Sequence, residues 1–260
     1  MKVRMYNVGF GDCFCLRDRK KSLLVDFGTN NSRIEGRPRR EIFDVIISDL
    51  STIKSKNLLL THFHMDHLSG LLYMMKKKDI SVDFGKIYLP DVFSKKEMSR
   101  TLVLLLLADL LKESGLPSRQ VSLFALVDAL LENKQNVELL SRGKLFENKY
   151  QALWPDTDVI RKETDEVYNR ICEDGKFKEV MDVLLEFAEK LRLIVWSMTA
   201  EGNKPAETVE KETDLTASEL TEQPEVRQKI IRAYVYEREF RRIKALPDFK
   251  KLLAWLNENQ

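Results

Sequence analysis

The chain has 260 residues, with 43 lysines and arginines against 41 aspartates and glutamates. Because these charges nearly balance, net charge alone would not attract the protein to nucleic acid or to a membrane surface. The most apolar run, residues 102–107, is far shorter than the ~20 residues that a transmembrane helix needs. The N-terminal sequence is typical of a strand and not of a signal peptide. We expect one large domain or two small ones, with no membrane partner.

Three strands are predicted at the start of the chain. Residues 2–6 and 13–16 flank a glycine-rich turn at residues 9–12, and residues 22–26 form the third strand. A helix is predicted from residue 41 to residue 52. These elements are typical of the opening of an α/β domain.

The cysteines indicate the compartment. Cys13 and Cys15 alternate with Phe14, so both lie on one face of their predicted strand. With Cys172 they make an odd number without metal-type spacing. We interpret them as small core residues in a reducing compartment and expect a cytoplasmic protein.

The most informative stretch lies between a predicted strand at residues 58–60 and a predicted helix at residues 68–75. The turn between them, residues 61–67, contains all three histidines of the chain and one aspartate. His62 and His64 are two positions apart, so an extended backbone points both to the same side. Imidazole and carboxylate groups are the usual ligands of zinc and similar ions. The stretch therefore predicts a metal site.

The sequence Thr-His-Phe-His-Met-Asp-His at residues 61–67 resembles the His-x-His-x-Asp-His signature of the metallo-β-lactamase superfamily. Residues 7–16 and 23–28 resemble the opening strands of the branch that includes the metallo-hydrolase domain of ComEC-type DNA-uptake proteins. The resemblance covers about residues 1–90 and implies the αββα sandwich of the superfamily. It is an α/β fold, here with a helical insertion or a helical C-terminal part.

The resemblance also implies the residues of a metal site, which would hold one or two ions of zinc or alternatively manganese. His62 and His64 would bind the first ion, and Asp66 and His67 the second. Asp66 would also be the catalytic residue, and hydroxide formed at the metal would attack the substrate. Two residues are expected to support these ligands from behind: Asp26 and Thr61. An alternative role stays open for Asp26, which ends a predicted strand and could simply cap the turn that follows. The substrate implied by the ComEC-like branch is a phosphodiester or nucleic acid, and no substrate-binding residue is identified.

A basic loop is predicted at residues 32–40, which contain four arginines and one glutamate. It follows the third predicted strand, whose last residue is Asp26. Two interpretations remain open for this segment: it binds an anionic substrate such as a phosphodiester, or it is solvated surface.

The rest of the chain is predicted to be mainly helical. We assign residues 1–155 to a metallo-β-lactamase-like domain with a helical insert near residues 95–140, after which residues 144–154 return to a strand. Residues 156–260 are assigned to a helical region, in which residues 201–224 form an acidic, flexible linker. A basic amphipathic helix is predicted at 226–246 and a last helix at 249–256.

The chain departs from the family pattern after the first motif. Later ligands in the family include histidines, and this chain has none after His67. Two protein ligands per ion bind metal more weakly than three, so we predict weak or no hydrolysis by this chain alone. Three explanations stay open: a fragment, a degenerate scaffold kept for non-catalytic interactions, or a site completed by other carboxylates or a partner. A half-sandwich would also expose a sheet edge, which favours self-association or a partner that completes the sheet.

Overall fold

The computed structural model describes residues 1–18, 21–77, 83–113, 123–133, 135–200 and 242–258. The predicted linker at 201–224 and most of the predicted helix at 226–246 lie outside these residues.

The chain divides into two compact units. The first comprises Met1–Asp91 and Ala108–Thr157, and the second comprises Val92–Leu107 and Asp158–Gln260. The first unit contains the main sheet and the predicted metal motif. The domain boundaries derived from the sequence stay a prediction.

The elements are numbered in chain order. The strands are β1 (Lys2–Met5), β2 (Phe14–Asp18), β3 (Lys21–Val25), β4 (Arg33–Ile34), β5 (Arg37–Pro38), β6 (Ser55–Leu59), β7 (Ile87–Pro90), β8 (Val137–Leu140), β9 (Leu145–Phe146) and β10 (Tyr150–Gln151). The α-helices are α1 (Arg39–Ser51), α2 (Met65–Lys76), α3 (Ser99–Glu113), α4 (Leu123–Glu132), α5 (Thr157–Cys172), α6 (Lys178–Ser197) and α7 (Phe249–Glu258).

The main sheet has six strands in the order β1-β2-β3-β6-β7-β8. β1, β2 and β3 are antiparallel, whereas β3, β6, β7 and β8 run parallel to one another. The carboxyl ends of the parallel strands lie at one edge of the sheet, where open α/β sheets bind their ligands. The mixed sheet and its helices confirm the predicted α/β class and are consistent with a metallo-β-lactamase-like fold.

Both faces of the sheet contribute to the core. Leu24, Leu58 and Ile87 are neighbours in adjacent strands, and none of them has exposed surface. The alternate residues face the other side and pack against the β9–β10 hairpin, in a buried cluster of Leu23, Tyr88, Leu140, Phe146 and Ala152. Burial on both sides explains why residues 23–25, 58–60 and 87–89 are continuous apolar runs.

Helices α1 and α2 pack against each other, and α2 also packs against α4. α1 buries side chains at the spacing of one helix face: Phe43, Ile46, Ile47 and Leu50. The Phe43 ring meets Phe27 edge to face, at 5.3 Å between centroids. Phe27 follows β3 by two residues, so this contact joins the helices to the sheet edge that carries the metal motif.

Three segments differ from the sequence-based predictions. Val137–Leu140 lies within the predicted helical insert but forms β8, because its apolar residues pair with the parallel strand β7. The strand predicted at 144–154 is a hairpin, since Glu147 and Asn148 adopt positive φ values of 52° and 57° and reverse the chain. The basic segment at 32–40 is not only a loop, because β4 and β5 pair within it.

The second unit is helical in the part that the structure describes. α6 buries the predicted apolar stripe, which includes Val180, Leu184 and Phe187. Its Arg192 is 8% exposed and pairs with Glu189 at 3.0 Å. None of the helices in the described segments is long and apolar enough to cross a membrane.

Candidate metal centre

The metal motif begins where β6 ends beside β3. These strands are parallel, with Val25 opposite Leu59, and the N–H of Asp26 donates to the carbonyl oxygen of Leu59 at 2.8 Å. Two residues later the chain turns through residues 61–63 into α2, whose N-cap is His64. The residue after β3 and the whole motif therefore meet at one edge of the sheet.

Asp26 holds this turn in place. Its carboxylate accepts three hydrogen bonds: from the Thr61 N–H at 2.8 Å, from Thr61 Oγ1 at 2.7 Å and from His67 Nδ1 at 2.9 Å. The side chain is 3% exposed. Its backbone has a φ of 54°, a left-handed conformation that costs a residue other than glycine about 1–2 kcal/mol. Such local strain is typical of functional sites, and here it directs the carboxylate behind the motif.

The hydrogen-bond partners determine which nitrogens of the histidines are available. Thr61 Oγ1 donates its proton to Asp26, so it accepts a hydrogen bond from Nδ1 of His62 at 3.0 Å. His67 donates from Nδ1 to the same aspartate. Nε2 of both rings is left for a metal ion. Ligand histidines in proteins are usually fixed in this way, by a carboxylate or hydroxyl behind the ring.

The structure brings three of the four predicted ligands into one group. Ligand atoms of His62, Asp66 and His67 lie within 4.8 Å of one another. The rings of His62 and His67 are 3.7 Å apart between centroids. His64 is not part of this group, although its ring meets that of His62 at 4.7 Å. The assignment of these residues to a first and a second ion stays a prediction.

A second group contains a residue that the sequence analysis did not identify as a ligand. Asp12, Asp26 and His67 also offer ligand atoms within 4.8 Å of one another. Asp12 Oδ2 lies 3.7 Å from His67 Nε2, and Asp66 Oδ2 lies at the same distance. The available signal was the glycine-rich turn that ends at Asp12, because glycines often mark a close backbone approach.

That close approach is visible at two glycines. A Cβ atom on Gly11 would lie 2.7 Å from the carbonyl oxygen of Asp66, and one on Gly28 would lie 2.6 Å from the backbone nitrogen of Leu68. The N–H of Asp12 donates to the carbonyl oxygen of Asp66 at 3.2 Å. The loops after β1 and β3 therefore touch the first turn of α2, and only glycine fits at these contacts.

The electrostatics of the two central histidines differ. Burial, together with repulsion from the neighbouring imidazoles, lowers the pKa of His62. Burial alone would also lower the pKa of His67, but its hydrogen bond to Asp26 and the nearby carboxylates outweigh burial and raise that pKa. His62 is therefore neutral and ready to bind a cation at pH 7. The surroundings of His67 attract positive charge, which a divalent ion supplies.

The residues fit a divalent metal ion of the zinc type. Imidazole nitrogens and carboxylate oxygens form the donor set, and Asp26 supports one ring from behind. Asp66 lies in the first turn of α2, so its negative charge faces the positive end of the helix dipole. The fold and the site thus define an α/β protein with a candidate metal centre at the carboxyl edge of its sheet.

Comparison with known proteins agrees with this class. Residues 6–91 match the family model of the metallo-beta-lactamase superfamily. A stretch of 77 residues is 32% identical to "Endoribonuclease YSH1" of Mycosarcoma maydis. This stretch covers 30% of the chain but only 8% of that relative. No solved structure gives a significant match.

The matched region contains every residue described at the site. It also covers the motif on which the superfamily resemblance was predicted, so that prediction is confirmed for residues 6–91. The expected closeness to the ComEC-type branch stays a prediction.

Proposed function

We propose that this chain is a metal-dependent hydrolase that acts on a phosphodiester in a nucleic acid. The observation that carries the proposal is the hydrogen-bonded arrangement of Thr61, Asp26 and His67, which leaves the Nε2 atoms of two histidines available to a metal ion. Such preorganisation is needed for a functional metal site.

Four residues would hold the metal: His62, His64, Asp66 and His67. When bound, zinc or manganese lowers the pKa of a water molecule towards neutrality and offsets the charge of the substrate. One ion or two are compatible with this donor set. Asp66 is the proposed catalytic residue, because its carboxylate lies in the group of ligand atoms and is 21% exposed. It would accept a proton from the attacking water.

Three observations support a phosphodiester substrate. The matched relative is named as an endoribonuclease, and the opening strands resemble the ComEC-type branch. In addition, Arg33 and Arg37 lie exposed on the β4–β5 hairpin. That hairpin is tied to the loop before Asp12, since Asn7 donates to Glu35 at 2.7 Å. Exposed arginines near this loop suit the recognition of phosphate groups.

The alternative function is non-catalytic interaction on a metallo-hydrolase scaffold. The histidine content favours it, because all three histidines of the chain lie in one motif. The exposed edge of the sheet is a candidate contact for a partner or a second copy, since all four residues of β1 are exposed. For either function we propose a cytoplasmic location, which the three free cysteines support.

Metal analysis combined with a cleavage assay tests the proposal. We expect the purified chain to bind zinc or manganese and to lose this metal when His62 and His64 are both changed to Ala. We expect slow, metal-dependent cleavage of single-stranded RNA or of bis(p-nitrophenyl) phosphate, abolished by Asp66→Ala. Asp18→Asn serves as the matched control, because Asp18 pairs with Lys149 on the surface of the same unit.

The possible outcomes separate the two functions. A chain that binds metal but cleaves neither substrate would support the non-catalytic alternative. A chain that binds no metal, or whose cleavage survives Asp66→Ala, would contradict the hydrolase proposal.

A further inference from the structure

We propose that Asp12 is a further ligand of the metal ion that His67 holds. This inference rests on the proposed function, because it concerns the same metal centre. The sequence lacks the later ligands of the family pattern. Asp12, in the loop after β1, would supply one carboxylate in their place.

The first step is the geometry around His67 Nε2. Asp12 Oδ2 and Asp66 Oδ2 each lie 3.7 Å from this nitrogen. That distance is too long for a direct hydrogen bond. With metal–ligand bonds of about 2.0–2.1 Å, two ligands of a tetrahedral ion are separated by roughly 3.3 Å. The distance from Nε2 to each carboxylate is therefore within a few tenths of an ångström of the separation between two ligands of one ion.

The second step is the role of Asp26 in the same group of ligand atoms. Its carboxylate already accepts hydrogen bonds from the Thr61 backbone, the Thr61 hydroxyl and His67 Nδ1. It is also 3% exposed, so it acts as the positioning residue behind the ring. Asp12, which is 42% exposed, is the carboxylate of this group that an ion from solvent reaches.

The third step is that backbone hydrogen bonds hold Asp12 in position at the site. Its N–H donates to the carbonyl oxygen of Asp66, and its own carbonyl oxygen accepts from the N–H of Gly28, both at 3.2 Å. Gly11 has no room for a side chain beside these contacts. The position of the carboxylate is therefore set by two hydrogen bonds and a tight loop contact.

Charge balance agrees with this assignment. The carboxylate of Asp12 would neutralise part of the charge of a divalent ion held by His67, whereas a neutral imidazole contributes no charge. The alternative role for Asp12 is a salt bridge to protonated His67 that stabilises the fold without any metal. The two roles give opposite results in the absence of metal, so one set of variants separates them.

The experiment uses the full chain stripped of metal with EDTA. Zinc affinity is measured by competition with a chromophoric chelator, and thermal unfolding is measured with and without zinc. For Asp12→Asn we expect at least a tenfold loss of zinc affinity and a smaller zinc-dependent rise in Tm. In EDTA we expect its Tm to equal or exceed that of the wild type, because a like charge near Asp26 and Asp66 has been removed.

Two further variants complete the test. Asp12→Glu keeps a carboxylate, so we expect this variant still to bind cobalt. Its visible absorption spectrum with cobalt should differ from that of the wild-type chain. Asp18→Asn, the surface control, is expected to stay within twofold of the wild-type zinc affinity. If Asp12→Asn binds zinc with wild-type affinity, this inference is wrong and the proposed function stays intact. The same holds if Asp12→Asn loses its fold in EDTA. A wild-type chain that binds no metal would overturn both.

Discussion

Asp26 and His67 are separated by 41 positions in the sequence, yet Asp26 Oδ2 accepts a hydrogen bond from His67 Nδ1 at 2.9 Å. The same oxygen accepts a hydrogen bond from the hydroxyl of Thr61. One buried carboxylate thus sets the orientation of a histidine at the start of α2 and of the turn after β6. The metal centre depends on this residue although it does not need to touch the ion.

The first prediction concerns Asp26→Asn. Asparagine also tolerates the left-handed backbone, but its amide offers one acceptor oxygen in place of two and brings a donor towards groups that already donate. We expect the orientation of His67 to be lost and zinc affinity to fall about 10–100-fold. The measurement is a chelator competition titration.

Asp44→Asn is the control for this variant. Asp44 accepts from Tyr73 and Lys77 on the surface of the same unit, so its replacement should leave zinc affinity unchanged. If Asp26→Asn bound zinc as tightly as this control, the positioning role of Asp26 would be wrong.

The second prediction concerns the loop contact at Gly11. Alanine there would place its Cβ against the carbonyl oxygen of Gly28 and 2.7 Å from the carbonyl oxygen of Asp66, which forces the loop away from α2 and from the residues after β3. We expect Gly11→Ala to lower the free energy of unfolding by about 1–3 kcal/mol and to weaken zinc binding as well. Urea unfolding and metal titration measure the two effects.

Gly36→Ala is the matched control for this contact. A Cβ atom on Gly36 meets nothing within 4 Å, although its φ of 78° makes alanine strained. It should therefore destabilise the β4–β5 turn without changing zinc affinity. Equal metal binding by the two variants would show that the approach of the loop to α2 is not required by the site.

The third prediction concerns the pH dependence of stability through Asp49. Arg4 and Arg17 donate to its carboxylate at 2.6 and 2.9 Å, and the hydroxyl of Tyr6 donates to the same oxygen. Burial alone would raise the pKa of Asp49, but the hydrogen bonds from Tyr6 and Arg4 outweigh burial and lower it. The network joins β1 and β2 to α1.

The sign of the effect follows from linkage. A carboxyl group with a lowered pKa in the folded state stabilises the fold above the pKa of the unfolded chain, which is about 4. This contribution is lost as the pH falls through the folded-state pKa. Asp49→Asn should therefore destabilise the protein at pH 7 and flatten the fall of the free energy of unfolding below about pH 4. Urea titrations from pH 7 to pH 3 measure this.

Tyr6→Phe removes one of the three donors to Asp49 and should give an intermediate pH dependence. If the free energy of unfolding of Asp49→Asn fell below about pH 4 as steeply as that of the wild type, other carboxyl groups would control the stability of the fold in acid.

The metal motif and the α/β class were predictable from the sequence because their signals are local. Residues 61–67 are contiguous, and the apolar run before them and the predicted helix after them together give the strand–turn–helix that presents the ligands. The family match over residues 6–91 agrees with that reading. The order β-α-β-α in this region also follows from the alternation of apolar patterns.

Contacts between distant segments were decided only by the tertiary structure. The strand β8 exists because Val137 pairs beside Ile87, and its four residues alone favour neither strand nor helix. Asp12 reaches His67 because two loops interleave at Gly11 and Gly28, and no periodicity in the sequence records such an approach. The sequence by itself determined which side chains bring the metal chemistry to the site. The fold decided which carboxylates surround them, because that depends on which loops the parallel strands bring to the same edge.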